Sequence, residues 1–344
     1  MRIYFRGEVG DNQSWGISTI GNVRGFLSLG HQVTIDPMNS YGNIPDNVRY
    51  CINKRYSQYD VFIRQGLAKH MQELAGIDKS IVKISLSCWD SSLIDKDSAE
   101  IHNKYVDGVI ALSSFTKQAF LDAGVTIPVH VGGQGFDDSI FYPPKTFYNE
   151  NVTFLTVGVA QGRKGTHTLI NAFEKALGDV KGAKLIIKSN SWGSLKDYST
   201  KVKNIEKVYE EYSLKQMGEL YRNCDCFVMP TEGDSFMLPG LEAMASGLPL
   251  IITGFGGPCD YCTDETGYRI RYKLKEAGYL PGHQAVPDEK HLSELLYYVF
   301  THINEAREKG EAGARKALSY WTWRDDARRN IKFLTELINR KRAQ

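Results

Sequence analysis

Long hydrophobic runs are missing from this 344-residue chain. Stretches such as Leu248 to Thr253 and Val109 to Leu112 fall far short of the roughly 20 residues that cross a bilayer as a helix, so no membrane span is expected. Charge of one sign is missing too. Lys plus Arg number 42 and Asp plus Glu 40, a formal net charge of +2, which gives no global pull toward nucleic acid or an anionic surface. Cysteine is scarce: six residues, unevenly placed, do not make a disulfide framework. The close pairs Cys224/Cys226 and Cys259/Cys262 have a spacing that thiolate–metal sites use, but spacing alone is weak support. Small buried or partly exposed thiols are the expected reading. The eight histidines form no H-E-x-x-H pattern, and neither internal repeats nor low-complexity segments occur. No metal site is expected.

What is present is an ordinary globular balance, 42% apolar and 24% charged, in a chain long enough for two domains. Short β-rich runs alternate with helical patterns. In the first half the strand candidates are Arg2–Phe5, Gln32–Ile35, Asp60–Ile63, Val82–Leu86 and Gly108–Leu112, with helices at Ile17–Leu29 and Phe115–Ala123. Because the run at Met1 to Phe5 already reads as a strand, no leader is expected and a cytoplasmic location is the default, with peripheral membrane contact left open. A break over Asp137 to Val152, with Pro143-Pro144 and Asn149-Glu150-Asn151, reads as a linker. The alternation then restarts with strands at Thr153–Val157, Lys184–Ile187, Asp225–Met229 and Pro249–Ile252. Helices are expected at Thr166–Leu177, Lys215–Arg222 and Pro239–Ala245, and in the tail at His291–Lys309 and Trp321–Arg340. This order implies two doubly wound α/β domains with parallel sheets. Their ligands are expected beyond the carboxyl ends of the strands, in a central cleft.

Two loops could carry chemistry. In Val157-Gly158-Val159-Ala160-Gln161-Gly162-Arg163-Lys164-Gly165-Thr166 a strand passes through glycines into a helix. Such a junction offers backbone N–H groups and a helix dipole to a phosphate, and Lys164 adds a full charge. The glycine spacing does not fit a P-loop, and a surface turn with a solvated Arg-Lys pair explains the segment equally well. In Pro230 to Gly247 a strand ends at Met229, an acidic loop follows, and Pro239 sits where a helix tolerates it, in the first turn. N–H groups near Met237 and Leu238 should be unpaired, while Asp234 and Glu242 flank the helix start, where carboxylates can accept from sugar hydroxyls. Taken alone, both acids could merely complement the helix N-terminus.

Together these segments resemble the retaining nucleotide-sugar glycosyltransferases of family 4, which have the GT-B fold: two Rossmann-like domains facing a central cleft. Val157-Gly158, Lys164-Gly165 and the helix with Ala172-Phe173 are similar to that family's V-G-R-L-x-x-x-K-G segment. Asp234 through Gly247 resembles its E-G-F-G-L-P-x-L-E-A-M-A-x-G signature, and Gly256-Gly257-Pro258 its following turn. Val109 to Thr116 and Gly132 to Pro143 look like the end of the first domain. Trp321-Thr322-Trp323-Arg324 looks like the start of the final helix. The resemblance implies residues 1–147 as an acceptor-side domain, 148–318 as the nucleotide-sugar domain, and 319–344 as a helix crossing back to the first.

By the same resemblance, Lys164 would stabilise charge on the departing diphosphate, and the backbone of Phe236, Met237 and Leu238 would hold the phosphates. Glu242 would bind the ribose, Asp234 would lie near the transferred sugar, and Gly16 would belong to the first domain's glycine loop. The sequence departs from the family at three places. Val159 stands where the family has Arg, so Arg163 or Lys188 is a candidate substitute. Asp234 is one methylene shorter than the usual Glu, with Glu232 as a stand-in at the wrong spacing. Ser87-Cys88-Trp89-Asp90-Ser91 lacks the first-domain histidine, leaving Asp90 to face the reaction centre or simply to brace a loop beside Trp89.

The expected activity is transfer of a sugar from a UDP- or GDP-sugar to a hydroxyl acceptor with retention, no further cofactor being required. Glycan, lipid, protein and modified-nucleobase acceptors stay open. The alternatives are a sugar phosphorylase or nucleotide-sugar epimerase of the same fold, or an inactive sugar-nucleotide binding protein. His102 reads as a surface or helix residue, the 19 tyrosines as core and sugar-facing surface, and the cations from Arg324 to Arg342 as a solvated helix face.

Overall fold

The computed structural model describes residues 1–144, 151–159, 162–189, 200 and 202–343. Asn149 and Glu150 of the expected linker, and Ala160 and Gln161 of the first glycine loop, lie outside the described residues. The chain divides into two compact units, one of residues 1–137, 277–282 and 320–344, the other of residues 138–276 and 283–319.

The first unit runs β1 (Arg2–Val9), α1 (Ser14–Ser28), β2 (Gln32–Ser40), α2 (Asp46–Arg49), β3 (Val61–Gln65), β4 (Val82–Ser87), α3 (Lys96–Tyr105), β5 (Gly108–Ala111), α4 (Ser114–Asp122) and β6 (Val129–Val131). Its sheet has the order β2-β1-β3-β4-β5-β6, and every pairing is parallel. β3 and β5 are buried along their whole length, as expected of strands covered on both faces by crossover helices. Ser113 caps α4 by accepting from the Thr116 N–H, and Asp95 caps α3 from Ser98.

In the second unit come β7 (Val152–Val157), α5 (Thr166–Leu177), β8 (Ala183–Lys188), β9 (Ile205–Val208), α6 (Leu214–Arg222), β10 (Cys226–Met229), α7 (Leu238–Ala245), β11 (Leu250–Thr253) and β12 (Gly267–Ile270). They form a second parallel sheet, β12-β11-β10-β7-β8-β9. Phe154, Phe173, Leu185, Val228 and Ile251 pack its core, each worth roughly 1.5–3 kcal/mol of burial. An antiparallel hairpin follows, β13 (Tyr272–Glu276) with β14 (His283–Pro287). The sequence pattern does not announce this hairpin, because β13 is largely exposed and carries no buried alternation.

The tail differs from expectation in one respect. Where the pattern predicts one helix over His291–Lys309, the chain forms α8 (Glu289–Thr301) and α9 (Ile303–Tyr320), broken at His302. The last helix, α10 (Trp323–Arg342), belongs to the first unit and packs along α1. Its cations form a mostly solvated face, as expected: Arg324, Arg328, Lys332, Arg340 and Arg342 are exposed, and ion pairs join Arg328 to Asp325, Arg329 to Asp326, Lys341 to Asp107 and Arg342 to Asp60.

His102 corrects the surface reading. It lies on α3 but is buried, with Nε2 3.0 Å from Ser85 Oγ, Nδ1 2.7 Å from Ser98 O and its ring edge-on to Phe120. Burial lowers its pKa, so it sits there as a neutral, hydrogen-bonded core group.

Candidate active site

Parallel sheets present their strand carboxyl ends to ligands, and in the second unit two such ends meet. After β7 the chain makes a short 3-10 turn, Gly162–Lys164, and enters α5 through Gly165. Gly165 has φ +70°, and a Cβ there would lie 2.0 Å from the Pro230 carbonyl oxygen. Only glycine lets this turn press against the loop after β10. The contact is reinforced by Glu232 N–H donating to Arg163 O at 2.8 Å and Thr231 Oγ1 donating to the same oxygen at 3.1 Å.

The two loops then exchange charge. Lys164 Nζ donates to Asp234 Oδ2, and Arg163 donates to Gly233 O while lying 3.9 Å from Asp234 Oδ2. Burial pushes the Asp234 carboxyl up, but the Lys164 ammonium and the Arg163 guanidinium outweigh it and hold the group below its ordinary range. Asp234 is therefore an anion at neutral pH. Its carbonyl oxygen is fixed by the Gly257 N–H at 2.8 Å.

From Asp234 the chain passes Phe236 into α7. Met237, the residue before the helix, has φ +67°, a left-handed conformation that costs a non-glycine residue roughly 1–2 kcal/mol. Tyr261 holds it there, its hydroxyl donating to Met237 O at 2.9 Å. The N–H groups of Met237 and Leu238 have no hydrogen-bond partner among the described residues. They stand at the positive end of a helix beside Lys164's partner, which suits an anion.

One turn into α7, Glu242 is buried. Burial raises its pKa to about 7, against the opposing pull of the Tyr221 hydroxyl, which donates to Oε2 at 3.1 Å. Oε1 has no hydrogen-bond partner among the described residues.

The other expected residues fall elsewhere. Lys188 ends β8 and is buried, but its ammonium donates to the Ser189 and Glu210 carbonyls, both at 2.7 Å, and lies 4.8 Å from the Tyr212 ring centre. Glu232 accepts from Lys275 Nζ at 2.6 Å, and its carbonyl accepts from Ala285 N–H, so it ties the acidic loop to the β13–β14 hairpin.

Gly16 and Asp90 lie in the first unit. Gly16 opens α1 against Gly10, whose φ of +135° makes the β1–α1 turn; a Cβ on Gly16 would lie 2.3 Å from Gly10 O. Asp90 follows β4, half-buried, in a loop braced by Trp89 Nε1 donating to Leu93 O at 2.6 Å. Tyr221, Tyr261 and Gly10 do not stand out in the sequence. Each looks like an ordinary core aromatic or turn glycine until its partner is known. Among the described residues no group of three or more His, Cys, Asp or Glu could hold a metal ion, and no helix is long and apolar enough to cross a membrane.

Comparison with known proteins bears on this geometry. Residues 140–277, which contain both loops, match the family model described as glycosyl transferases group 1. Over 98% of its length the chain superposes on sucrose-phosphate synthase from Thermosynechococcus elongatus, with a TM-score of 0.73, 16% identity and 99% of that chain covered. Anabaena HepE in complex with UDP and glucose gives 0.72, with 14% identity, 98% of this chain and all of that one. The fold is GT-B.

Curated relatives are viral. A protein of Sulfolobus islandicus filamentous virus, named provisionally as glycosyltransferase 45, is 25% identical over 71% of this chain and 67% of its own length. A protein of Sulfolobus islandicus rod-shaped virus 1 without an assigned function is 25% identical over 50% of this chain, which spans about half (51%) of that relative. Family match, GT-B fold and the first of these relatives together support a group 1 glycosyltransferase.

Proposed function

We propose that the protein is a retaining glycosyltransferase of the family 4 type that takes its sugar from a nucleoside-diphosphate sugar, with UDP as the favoured nucleotide. The observation that carries this reading is the meeting of two strand-to-helix junctions: Lys164 from the first, and from the second two unspent N–H groups and two carboxyls whose pKa values are moved in opposite directions. Lys164 and the N–H groups of Met237 and Leu238 would bind the diphosphate. Glu242 would accept from the ribose hydroxyls, and Asp234, an anion, would lie by the transferred sugar. UDP is favoured because the similarly folded HepE holds UDP and glucose.

Retention would follow from front-face substitution. The bond from the anomeric carbon to the phosphate oxygen breaks, and the acceptor oxygen bonds to the same face. Its proton passes to the leaving phosphate. Lys164 would compensate the charge that grows on that phosphate as the bond lengthens. No metal takes part in this reading.

Thermal melting with UDP, GDP and UDP-glucose, with and without Mg²⁺, tests it. A nucleotide at about 100 times its dissociation constant adds roughly 2.7 kcal/mol of stability, a clear rise in Tm. A rise with uridine nucleotides, independent of Mg²⁺ and lost in Glu242→Ala, is the expected result. No rise with any nucleotide would overturn the reading.

A further inference from the structure

The nucleotide reading gives Glu242 a role but leaves its neighbour without one. Tyr221, on the last turn of α6, is fully buried, and its hydroxyl is the group that meets the Glu242 carboxyl, at 3.1 Å on Oε2. Its ring is held by Phe141 (centroids 5.8 Å apart) and Phe227 (6.5 Å). The segment bearing Phe141 is itself clamped to α6: Arg222 donates to Ile140 O at 2.8 Å, and a Cβ on Gly218 would lie 2.5 Å from the same oxygen. A phenol fixed this firmly cannot follow a carboxylate that swings. The carboxylate must come to it.

We infer that Tyr221 is a positioning residue for nucleotide binding: its hydroxyl fixes Oε2 of Glu242, so that Oε1 alone faces the ribose, as an anion. The inference rests on the glycosyltransferase reading of Glu242. It assigns a role to α6, an element that reading does not use. Two features support it. The donated hydrogen bond favours the ionised carboxylate against burial, which alone drives the group toward the neutral acid. Among the described residues no charged side chain competes with the phenol for Glu242: the titratable groups acting on Tyr221 there are Glu242, Tyr261 and Cys224, and on Glu242 the Tyr221 phenol.

The test uses the full chain and UDP-glucose, whose diphosphate has no ionisation near neutral pH and whose uracil N3–H loses its proton only toward the alkaline end of the range, so a midpoint near neutral pH belongs to the protein. Affinity is measured from pH 6 to 9 for the wild type, Tyr221→Phe and Glu242→Gln. In the wild type, affinity should rise with pH through about 7, as Glu242 becomes the acceptor. Tyr221→Phe keeps the ring packing and removes only the donor. It should weaken binding about tenfold at pH 7, the effect of one hydrogen bond to a charged group, and should move the midpoint upward. At pH 9, where Glu242 ionises without help, most of the loss should disappear. Glu242→Gln should bind weakly with no midpoint.

Unchanged affinity and midpoint in Tyr221→Phe, beside a normal pH rise in the wild type, would overturn the inference and leave the nucleotide reading intact. A loss equal at every pH would also overturn it, since that is what packing damage produces. Wild-type binding indifferent to Glu242→Gln would instead remove the ribose assignment, and the role of Tyr221 with it.

Discussion

Asp234 in the second unit and Asp326 in the first are both buried carboxyls with a cation beside them, yet their surroundings differ. Asp326 accepts from Gly133 N–H at 2.9 Å, Asn330 Nδ2 at 2.8 Å and Arg329 at 3.2 Å. Burial still raises its pKa to about 6. The Gly133 N–H joins α10 to the loop after β6 here, and Arg329 and Asn330, one turn further along α10, take up the rest of the carboxylate. Asp234 has Lys164 and Arg163, and next to it stand N–H groups that bind nothing among the described residues. Burial and an ion pair are therefore common to the proposed nucleotide site and to a structural junction, and unspent donors beside the pair are what the proposed site has in addition.

This contrast can be broken by experiment, and the largest expected effect is in the first unit. Asp326→Ala leaves Arg329, Asn330 and the Gly133 N–H facing a hole, and losing one partner of a buried pair costs about 3–5 kcal/mol. Urea unfolding should show that loss, while nucleotide affinity of the folded protein stays unchanged. Weaker nucleotide binding with normal stability would place Asp326 in a site and erase the contrast.

Next comes Glu242. Its native pKa of about 7 lies above the ordinary 4.5, so the folded protein keeps a proton that the unfolded chain releases. Stability is then lost as pH rises from about 4.5 to about 7. Glutamine has no proton to release. Glu242→Gln should therefore gain on the wild type across that window, by something on the order of 3 kcal/mol at pH 8. A stability difference identical at pH 5 and pH 8 would show that the carboxyl is not raised.

Lys164→Met removes the charge that faces the proposed diphosphate. It should weaken UDP-glucose about tenfold, about 1.4 kcal/mol, while the protein still melts cooperatively. Full affinity in this variant would reduce the Lys164–Asp234 pair to the status of Asp326. The smallest effect is expected from Lys275→Ala. Its pair with Glu232 is half-exposed, and such pairs contribute about 0–1 kcal/mol. A larger loss of stability would mean that the hairpin, rather than the Lys164 turn, supports the acidic loop.

Much of this is legible in residue order. The runs at Thr153–Val157 and Asp225–Met229 become β7 and β10, because strands covered on both faces must be apolar throughout. Pro239 and Gly247 bracket α7, as their fixed and left-handed backbones require. Two doubly wound α/β domains follow from the alternation, and the GT-B fold is what the resemblance of the two loops implies. What stays hidden is interaction across long chain separations. Lys188, one of two candidates in the sequence to replace the family's Arg, donates to two carbonyls that residue order does not reveal. His102 reads as a surface or helix residue; it does lie on a helix, and Ser85, seventeen residues away, gives it a buried partner.

The order of elements, their apolar faces and the acids and lysine of the two loops are local properties, written in residue type and spacing, and the sequence by itself determined them. Which carboxyl is charged is not local. It depends on burial and on partners as distant in the chain as Lys164 is from Asp234, 70 residues. Only folding brings Tyr221 to Glu242 and Asp326 to Gly133, and only then do two aspartates and a glutamate of similar intrinsic acidity acquire different pKa values, lowered for Asp234, about 6 for Asp326 and about 7 for Glu242.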